Sequence, residues 1–260
     1  MNIITPQKTD VANAFSAKAY RYDNNTPVQK GILEKLSIFL SKRSSIDQIW
    51  LDAGCGTGLF EQILLENANL PAQIVCIDIA PGALTILGNR NIPQTKLIRA
   101  DIDFLPCKQS SFDGAIASSV LQWLPDPWES IDRITRLIKP SGLFAFSFFC
   151  TGSFNEFYTV RTNHGLSIPI HLFDNTQIVS RLHSLGLKVI TQDFVDTTHY
   201  FPTGMQALKS IASIGSSATG EKSLSRSLVT EISNEYETLF LSDRGVGVTY
   251  KICLGIAQIL

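Results

Sequence analysis

The feature that most constrains this chain is a run of alternate glycines directly after a short apolar segment. Residues 49–60 have the sequence IWLDAGCGTGLF, in which Gly54 begins the run and Gly58 ends it. The apolar segment predicts a buried strand, and Ile63 and Leu64 continue the apolar face of a helix that follows the glycines. Glycine allows positive φ and close approach of a ligand, while free N–H groups at a helix start suit polar or anionic groups. The stretch therefore predicts a strand–turn–helix ligand site in an α/β fold.

The spacing of this turn bears on two classes of ligand. A nucleotide site of the Rossmann type stays open, because a glycine-rich turn between a strand and a helix can hold a phosphate. The pattern Asp-x-Gly-x-Gly-x-Gly, formed by Asp52, Gly54, Gly56 and Gly58, is instead typical of S-adenosylmethionine (AdoMet) sites and lacks the Gly-x-Gly-x-x-Gly spacing of dinucleotide folds. We therefore expect these four residues to contact AdoMet.

An acid stands at the end of the next predicted strand. Residues 73–78 are nearly all apolar, as in strands that are buried on both faces of a parallel sheet, and they end in Asp78. A carboxylate at this position can accept hydrogen bonds from both ribose hydroxyls of a cofactor, with Ile79 beside it. The alternative is that Asp78 only caps the helix that begins at Pro81. The glycine turn upstream favours the ribose role.

Polar side chains also end the third and fourth predicted strands. Asp101 and Ile102 follow the third strand, where we expect them to meet the amino group and the ring of adenine. The fourth strand, over residues 112–119, ends on Ser118 and Ser119. Because the carboxyl ends of parallel strands meet at one edge of a sheet, all these side chains are expected to converge on one crevice.

The other elements complete one α/β domain without a linker long enough to separate two. Its predicted parts are a helical leader (residues 1–46), an AdoMet-binding core (47–150), a cap with late core elements (151–245) and a C-terminal strand (246–260). Helices are predicted over residues 11–20, 28–40, 59–68, 81–89, 128–138, 204–214 and 224–240, and further strands over residues 96–100, 143–149, 187–194 and 246–257. Residues 20–23, at the predicted end of the first helix, could line the mouth of the pocket.

Composition excludes several function classes. The formal net charge of −1 over 260 residues argues against binding of nucleic acid by bulk charge. The five cysteines form no Cys-x-x-Cys pair and the four histidines have no metal-ligand spacing, so we expect reduced thiols and no metal. No apolar run is long enough to span a bilayer and the N-terminus does not look like a signal peptide. These features predict a cytoplasmic protein without nucleic-acid or membrane partners.

Motifs along nearly the whole chain resemble one family. Residues 47–150 are similar to class I AdoMet-dependent methyltransferases, and the order of the further motifs resembles the malonyl-[acyl-carrier protein] O-methyltransferases of biotin synthesis. These motifs are YDNNTPVQ (residues 22–29), LDAGCGTG (51–58), ADIDFLP (100–106), LQW (121–123), GSFNE (152–156) and LKSIASIG (208–215).

The resemblance implies a Rossmann-like, mostly parallel seven-stranded sheet with helices on both faces and a helical cap. It implies AdoMet as methyl donor and the free carboxylate of malonyl-acyl carrier protein, or of malonyl-CoA, as acceptor. A carboxylate is already a nucleophile at neutral pH, so such an enzyme needs orientation more than a base. In this reading Tyr22 orients the carboxylate, Gln29 contacts the cofactor, and Gln122 and Trp123 shape the opening for the substrate.

One position departs from the family pattern. Members tend to carry a lysine in the helix before Gly215, where this chain has Ala212, and Lys209 could substitute as a contact for the carrier. Two alternatives stay open: a small-molecule C- or O-methyltransferase, as for quinone precursors, and a non-catalytic module that binds AdoMet or a carrier protein.

Overall fold

A computed structural model describes residues 7–43, 45, 47–166, 170–213 and 224–260. The strands are β1 (Ile49–Ala53), β2 (Gln73–Asp78), β3 (Thr95–Arg99), β4 (Phe112–Ser118), β5 (Ile138–Phe149), β6 (Leu187–Phe201), β7 (Leu241–Ser242) and β8 (Gly245–Ile259). The helices are α1 (Lys8–Asn25), α2 (Pro27–Ser41), α3 (Leu59–Glu66), α4 (Pro81–Asn89), α5 (Pro127–Thr135), α6 (Asn155–Asn163), α7 (Ile178–Ser184), α8 (Gly204–Ile211) and α9 (Arg226–Phe240).

Seven of these strands form the sheet in the order β3-β2-β1-β4-β5-β8-β6, and the two-residue β7 pairs with β8. The first five strands are parallel, whereas β8 is antiparallel to both β5 and β6. The strand order reverses between β1 and β4, and in open α/β sheets ligands bind outside the carboxyl ends of the strands at such a point. The predicted mostly parallel, seven-stranded α/β fold is confirmed.

Strand side chains alternate between two apolar layers, which explains why the strands are nearly all apolar. In β1, Trp50 packs into the layer that includes α2 and α3, and Leu51 packs into the layer that includes α5 and α7. Both side chains are at most 4% exposed. Burial on both faces fixes the register of the parallel strands, because a shift by one residue would exchange the two layers.

The leader differs from its prediction. Residues 21–25 continue α1 as a helix, and the chain leaves helical geometry only at Thr26, the residue before Pro27. Proline disfavours the helical region for the residue that precedes it, which is why the break is a single residue. The predicted break over residues 21–27 is therefore wrong, and the side chains of residues 20–23 project from the last turns of a helix.

Two boundaries around the sheet also differ. The helix predicted over residues 128–138 ends at Thr135, and Ile138 already pairs with Phe112 as the first residue of β5. Strand β6 continues seven residues beyond its predicted end at residue 194, up to Phe201, and pairs with β8 over this length. It lies at the edge of the sheet, where polar side chains can alternate with apolar ones, so it lacks the continuous apolar signal of a central strand.

The predicted end of the cap helix, Ile214, and the motif residue Gly215 lie outside the described residues. Within the described part of the chain, no helix has the length and the apolar composition that a membrane crossing requires.

Candidate active site

A cavity lies at the carboxyl ends of β1, β2 and β4, with α1 along one side. It encloses roughly 1110 Å³ of empty space, counting the solvent at its mouth. Nearly all predicted cofactor residues line it, together with Tyr22 and Trp123. The lining members of that predicted set are Gln29, Asp52, Gly54, Gly56, Asp78, Ile79, Asp101, Ile102, Ser118 and Ser119.

The glycine turn has the backbone conformation that its sequence predicts. Gly54, Gly56 and Gly58 have φ values of 87°, 55° and 81°, in the left-handed region that favours glycine. A Cβ on Gly56 would meet no atom of the described residues within 4 Å, and Gly56 lines the cavity. A Cβ on Gly58 would lie 2.2 Å from a side-chain atom of Leu87, and Gly58 is not among the lining residues. Gly56 therefore gives a ligand access to the backbone, whereas Gly58 makes room for α4.

Asp78 binds the glycine turn from the end of β2. Its Oδ2 accepts a hydrogen bond from the Gly56 N–H (2.9 Å), and its Oδ1 accepts one from the Ala80 N–H (2.8 Å). Burial raises the pKa of the Asp78 carboxyl, and these backbone donors oppose that shift. An ionised carboxylate offers about four acceptor positions, so about two remain for a ligand.

Asp52 has an acidic neighbour that the sequence pattern did not reveal. Glu61 of α3 is fully buried, and its Oε1 accepts a hydrogen bond from the Cys76 thiol at 3.3 Å. Burial, followed by the charge of Glu61, raises the pKa of Asp52 well above its usual value. Burial also raises the pKa of Glu61. Two adjacent buried carboxyls resist simultaneous ionisation, so this pair retains a proton more readily than separate surface acids do.

Asp101 pairs with a lysine from the leader. Lys8 Nζ donates to both Asp101 oxygens (2.8 and 2.7 Å), and it also contacts Asp103. Lys8 itself lines the cavity. The ammonium occupies one side of the carboxylate predicted to meet adenine, so a ligand amino group would have to share this acceptor.

The C-terminal end of α1 also contacts the core of the protein. Asp23 forms an ion pair with Arg90, and its Oδ1 accepts a hydrogen bond from the Thr57 hydroxyl at 2.6 Å. Arg90 Nε in turn donates to the Thr57 carbonyl at 2.8 Å. Between the two ends of α1, the Gly82 N–H donates to Ser16 Oγ at 3.2 Å. Contacts near both ends and in the middle therefore hold α1 along one side of the cavity.

The turn after β4 contains several buried polar groups. Ser119 Oγ, Trp123 Nε1 and Gln122 Oε1 are buried and have no hydrogen-bond partner among the described residues. Gln122 does not line the cavity, and its Nε2 donates to the Ser119 carbonyl at 2.8 Å. Geometry thus places the predicted substrate residue Gln122 behind the wall, whereas Ser119 and Trp123 form part of it.

The predicted substrate residues occupy different places. Tyr22 lines the cavity, and burial raises the pKa of its hydroxyl well above the usual tyrosine value, so the hydroxyl keeps its proton at neutral pH. Lys209 is exposed on α8 and is not among the described residues that line the cavity. No cluster of three or more His, Cys, Asp or Glu side chains suited to a metal occurs in the described ranges.

This donor set fits AdoMet. The turn at Gly56 is open to a ligand, Asp78 has acceptor capacity left for two hydroxyls, and Ile79 and Ile102 supply apolar surface for a ring. The buried, unpartnered donors of Ser119 and Trp123 add groups that a bound ligand can satisfy.

Comparisons with known proteins agree with this geometry. A family model described as "Methyltransferase domain" matches residues 51–146. A malonyl-[acyl-carrier protein] O-methyltransferase of Geobacter sulfurreducens is 26% identical over 95% of this chain and 97% of its own length. Another, of Serratia marcescens, is 32% identical over 58% of this chain and 57% of its own length.

The fold has relatives among solved structures. The crystal structure of a SAM-dependent methyltransferase from Methanosarcina mazei is similar with a TM-score of 0.56, at 17% identity, over 85% of this chain and 96% of that chain. At this identity the likeness concerns the fold alone. The sheet order and the methyltransferase domain that begins with the glycine turn show a class I methyltransferase fold, and the relatives that match over most of the chain support an AdoMet-dependent methyltransferase.

Proposed function

We propose that this enzyme methylates the free carboxylate of a malonyl group carried as a thioester on acyl carrier protein, the reaction that masks this carboxylate for biotin synthesis. The names of relatives that match over most of the chain support this substrate. A soluble carrier as partner also supports a cytoplasmic location and a reaction without nucleic acid or membrane. Malonyl-CoA shares the reacting group and is proposed as a surrogate substrate.

The observation that carries the proposal is the kind of proton donor and acceptor that lines the cavity. Its described lining residues include no histidine, and the raised pKa of Tyr22 makes its hydroxyl a donor instead of a base. A phenol or an unactivated hydroxyl would have to lose a proton, whereas a malonyl carboxylate with a pKa near 4 is ionised at neutral pH. The described lining offers hydrogen-bond donors and no histidine, and we assign Asp52 and Asp78 to the cofactor, so this cavity suits an acceptor such as a carboxylate that needs no base.

Residues of this chain would hold the cofactor as follows. Asp78 would accept hydrogen bonds from the ribose hydroxyls, and Asp101 with Ile102 would contact adenine. The backbone at Gly54 and Gly56 would approach the amino-acid part of AdoMet.

Three further polar residues complete this assignment. Asp52, Gln29 and Ser118 would contribute polar contacts to the cofactor, whereas Gly58 would act only through the packing of α4.

Bound AdoMet supplies a methyl group on a sulfonium, which becomes a neutral thioether when a carboxylate oxygen takes the methyl group, so no proton is transferred. Tyr22 would donate a hydrogen bond that orients that carboxylate, and the wall formed by α1 would exclude water.

A panel of acceptors tests the proposal. Purified enzyme is incubated with methyl-labelled AdoMet and malonyl-acyl carrier protein, acetyl-acyl carrier protein, malonyl-CoA or a phenolic quinone precursor. We expect label in a base-labile ester on the malonyl thioesters and none on the acetyl carrier, which lacks the carboxylate. Label on the phenol alone would support the small-molecule alternative, and absence of label from every acceptor would support a non-catalytic binding module.

A further inference from the structure

Two buried donors of the cavity wall have no hydrogen-bond partner in the part of the chain that the structure describes. Ser119 Oγ and Trp123 Nε1 have no hydrogen-bond partner among the described residues, although both residues line the cavity. Buried polar groups in proteins are almost always paired, and an unpaired one calls for an explanation such as a ligand. Both groups stand four residues apart on the same turn, after the end of β4.

The turn is held in a conformation that a serine rarely adopts. Ser119 has a φ of 55°, in the left-handed region. Its N–H donates to Ser147 Oγ at 2.9 Å, and its carbonyl accepts from Gln122 Nε2 at 2.8 Å. Strain of this kind persists when the surroundings over-determine it, and it occurs preferentially at functional sites. The hydrogen bonds of Ser147 and Gln122 therefore fix where the free hydroxyl of Ser119 lies.

The second donor belongs to the same wall as Tyr22. The Trp123 ring meets the edge of Phe15 with centroids 5.7 Å apart, and Phe15 lies 6.1 Å from Tyr22. Trp123 can donate through its indole N–H but cannot accept, and a serine hydroxyl can donate as well. The indole therefore requires an acceptor from the ligand, and an ionised carboxylate, which only accepts, can satisfy both the indole and the serine hydroxyl.

We propose that the Ser119 hydroxyl and the Trp123 indole N–H bind the carboxylate of the acyl substrate and so select malonyl over acetyl thioesters. This inference rests on the proposed function and departs from the sequence-based assignment of Ser119 to the cofactor. The two donors hold one carboxylate oxygen, while the other forms the bond to the methyl carbon as the carbon–sulfur bond breaks. Neutral donors orient the anion without adding a positive charge that would compete with the sulfonium for the carboxylate.

Two single variants, Ser119→Gly and Trp123→Phe, test the inference. Glycine removes the hydroxyl and relieves the positive φ, so the first variant should fold at least as well as the wild type. Phenylalanine keeps an aromatic ring and removes the N–H. We measure the KM for malonyl-acyl carrier protein, the Kd for AdoMet, and the Kd for acetyl-acyl carrier protein, with thermal melting as a check on folding.

Each variant should raise the KM for malonyl-acyl carrier protein about 10- to 100-fold, as expected for a lost hydrogen bond to a charged group, and change the other two constants by less than about twofold. An unchanged KM in Ser119→Gly would overturn the inference even if Trp123→Phe fails to fold. If the Kd for AdoMet rose as much as the KM for malonyl-acyl carrier protein, Ser119 would be assigned to the cofactor. If the Kd for acetyl-acyl carrier protein rose as much as that KM, recognition of the carboxylate would be excluded. Wild-type enzyme that leaves malonyl thioesters unmethylated would refute the proposed function itself.

Discussion

The ribose role of Asp78 leads to a quantitative prediction for the variant Asp78→Ala. Two acceptor positions of this carboxylate are used by backbone N–H groups, at 2.9 and 2.8 Å, which leaves about two for the ribose hydroxyls. Loss of hydrogen bonds to a charged acceptor costs about 1.5 to 3 kcal/mol. The Kd for AdoMet should therefore rise about 10- to 150-fold, since each 1.4 kcal/mol corresponds to about tenfold.

Isothermal titration calorimetry with AdoMet measures this change, and Asp113→Ala is a matched control. Asp113 lies at the opposite end of the sheet, where its Oδ2 likewise accepts a backbone N–H, from Ile49 at 2.8 Å, and its Oδ1 pairs with Lys139. Both variants should lose stability through the orphaned backbone donors, but only Asp78→Ala should lose AdoMet affinity. Equal affinities in the two variants would refute the ribose role, and an unfolded Asp78→Ala protein with a folded control would favour the capping role.

The pH dependence of AdoMet binding follows from the same group. Burial raises the pKa of Asp78 in the folded protein without ligand, so its proton is retained to a higher pH than in an ordinary aspartic acid. Only the ionised form can accept from both hydroxyls. The Kd for AdoMet should therefore increase as the pH falls through this raised pKa, and binding there should release protons.

Three further variants test other parts of the site. Tyr22→Phe keeps the ring and removes a hydrogen-bond donor, so turnover should fall about tenfold or more while the Kd for AdoMet stays nearly constant. If the variant turned over as fast as the wild type, the hydroxyl would have no role in the site. Asp23→Asn removes the charge that pairs with Arg90 at the end of α1, so AdoMet should dissociate faster in stopped-flow measurements, and an unchanged rate would show that this contact does not hold the helix. Lys209→Glu should raise the KM for the acidic carrier protein but leave the KM for malonyl-CoA nearly unchanged. An equal increase in both KM values would argue against a docking role. The control is Lys188→Glu, which makes the same charge change on the edge strand β6.

The sequence was most informative where a local pattern determines the geometry. The turn from Asp52 to Gly58 requires positive φ values that glycine adopts readily, and the acids at strand ends converge because parallel strands share an edge. The packing role of Gly58 had no local signal, because the Leu87 side chain that it accommodates lies on another helix.

Contacts between distant residues had no such signal. Lys8 and Asp101 are 93 positions apart, and neither belongs to a spaced motif that includes the other. Glu61 fits the polar side of an amphipathic helix in the sequence, whereas the structure buries it beside Asp52. The positive φ of Ser119 was equally hidden, because it depends on the side chains of Ser147 and Gln122.

The most direct test of the account follows a single turnover of malonyl-acyl carrier protein with methyl-labelled AdoMet, both saturating, from about pH 6 to 8. The acceptor is ionised well above a pKa near 4, and the raised pKa of Tyr22 keeps that side chain protonated throughout. The account predicts a base-labile methyl ester that forms at a nearly constant rate across this range. Failure to form the ester, or a rate that climbs about tenfold per pH unit as for a phenol that needs a base, would contradict it.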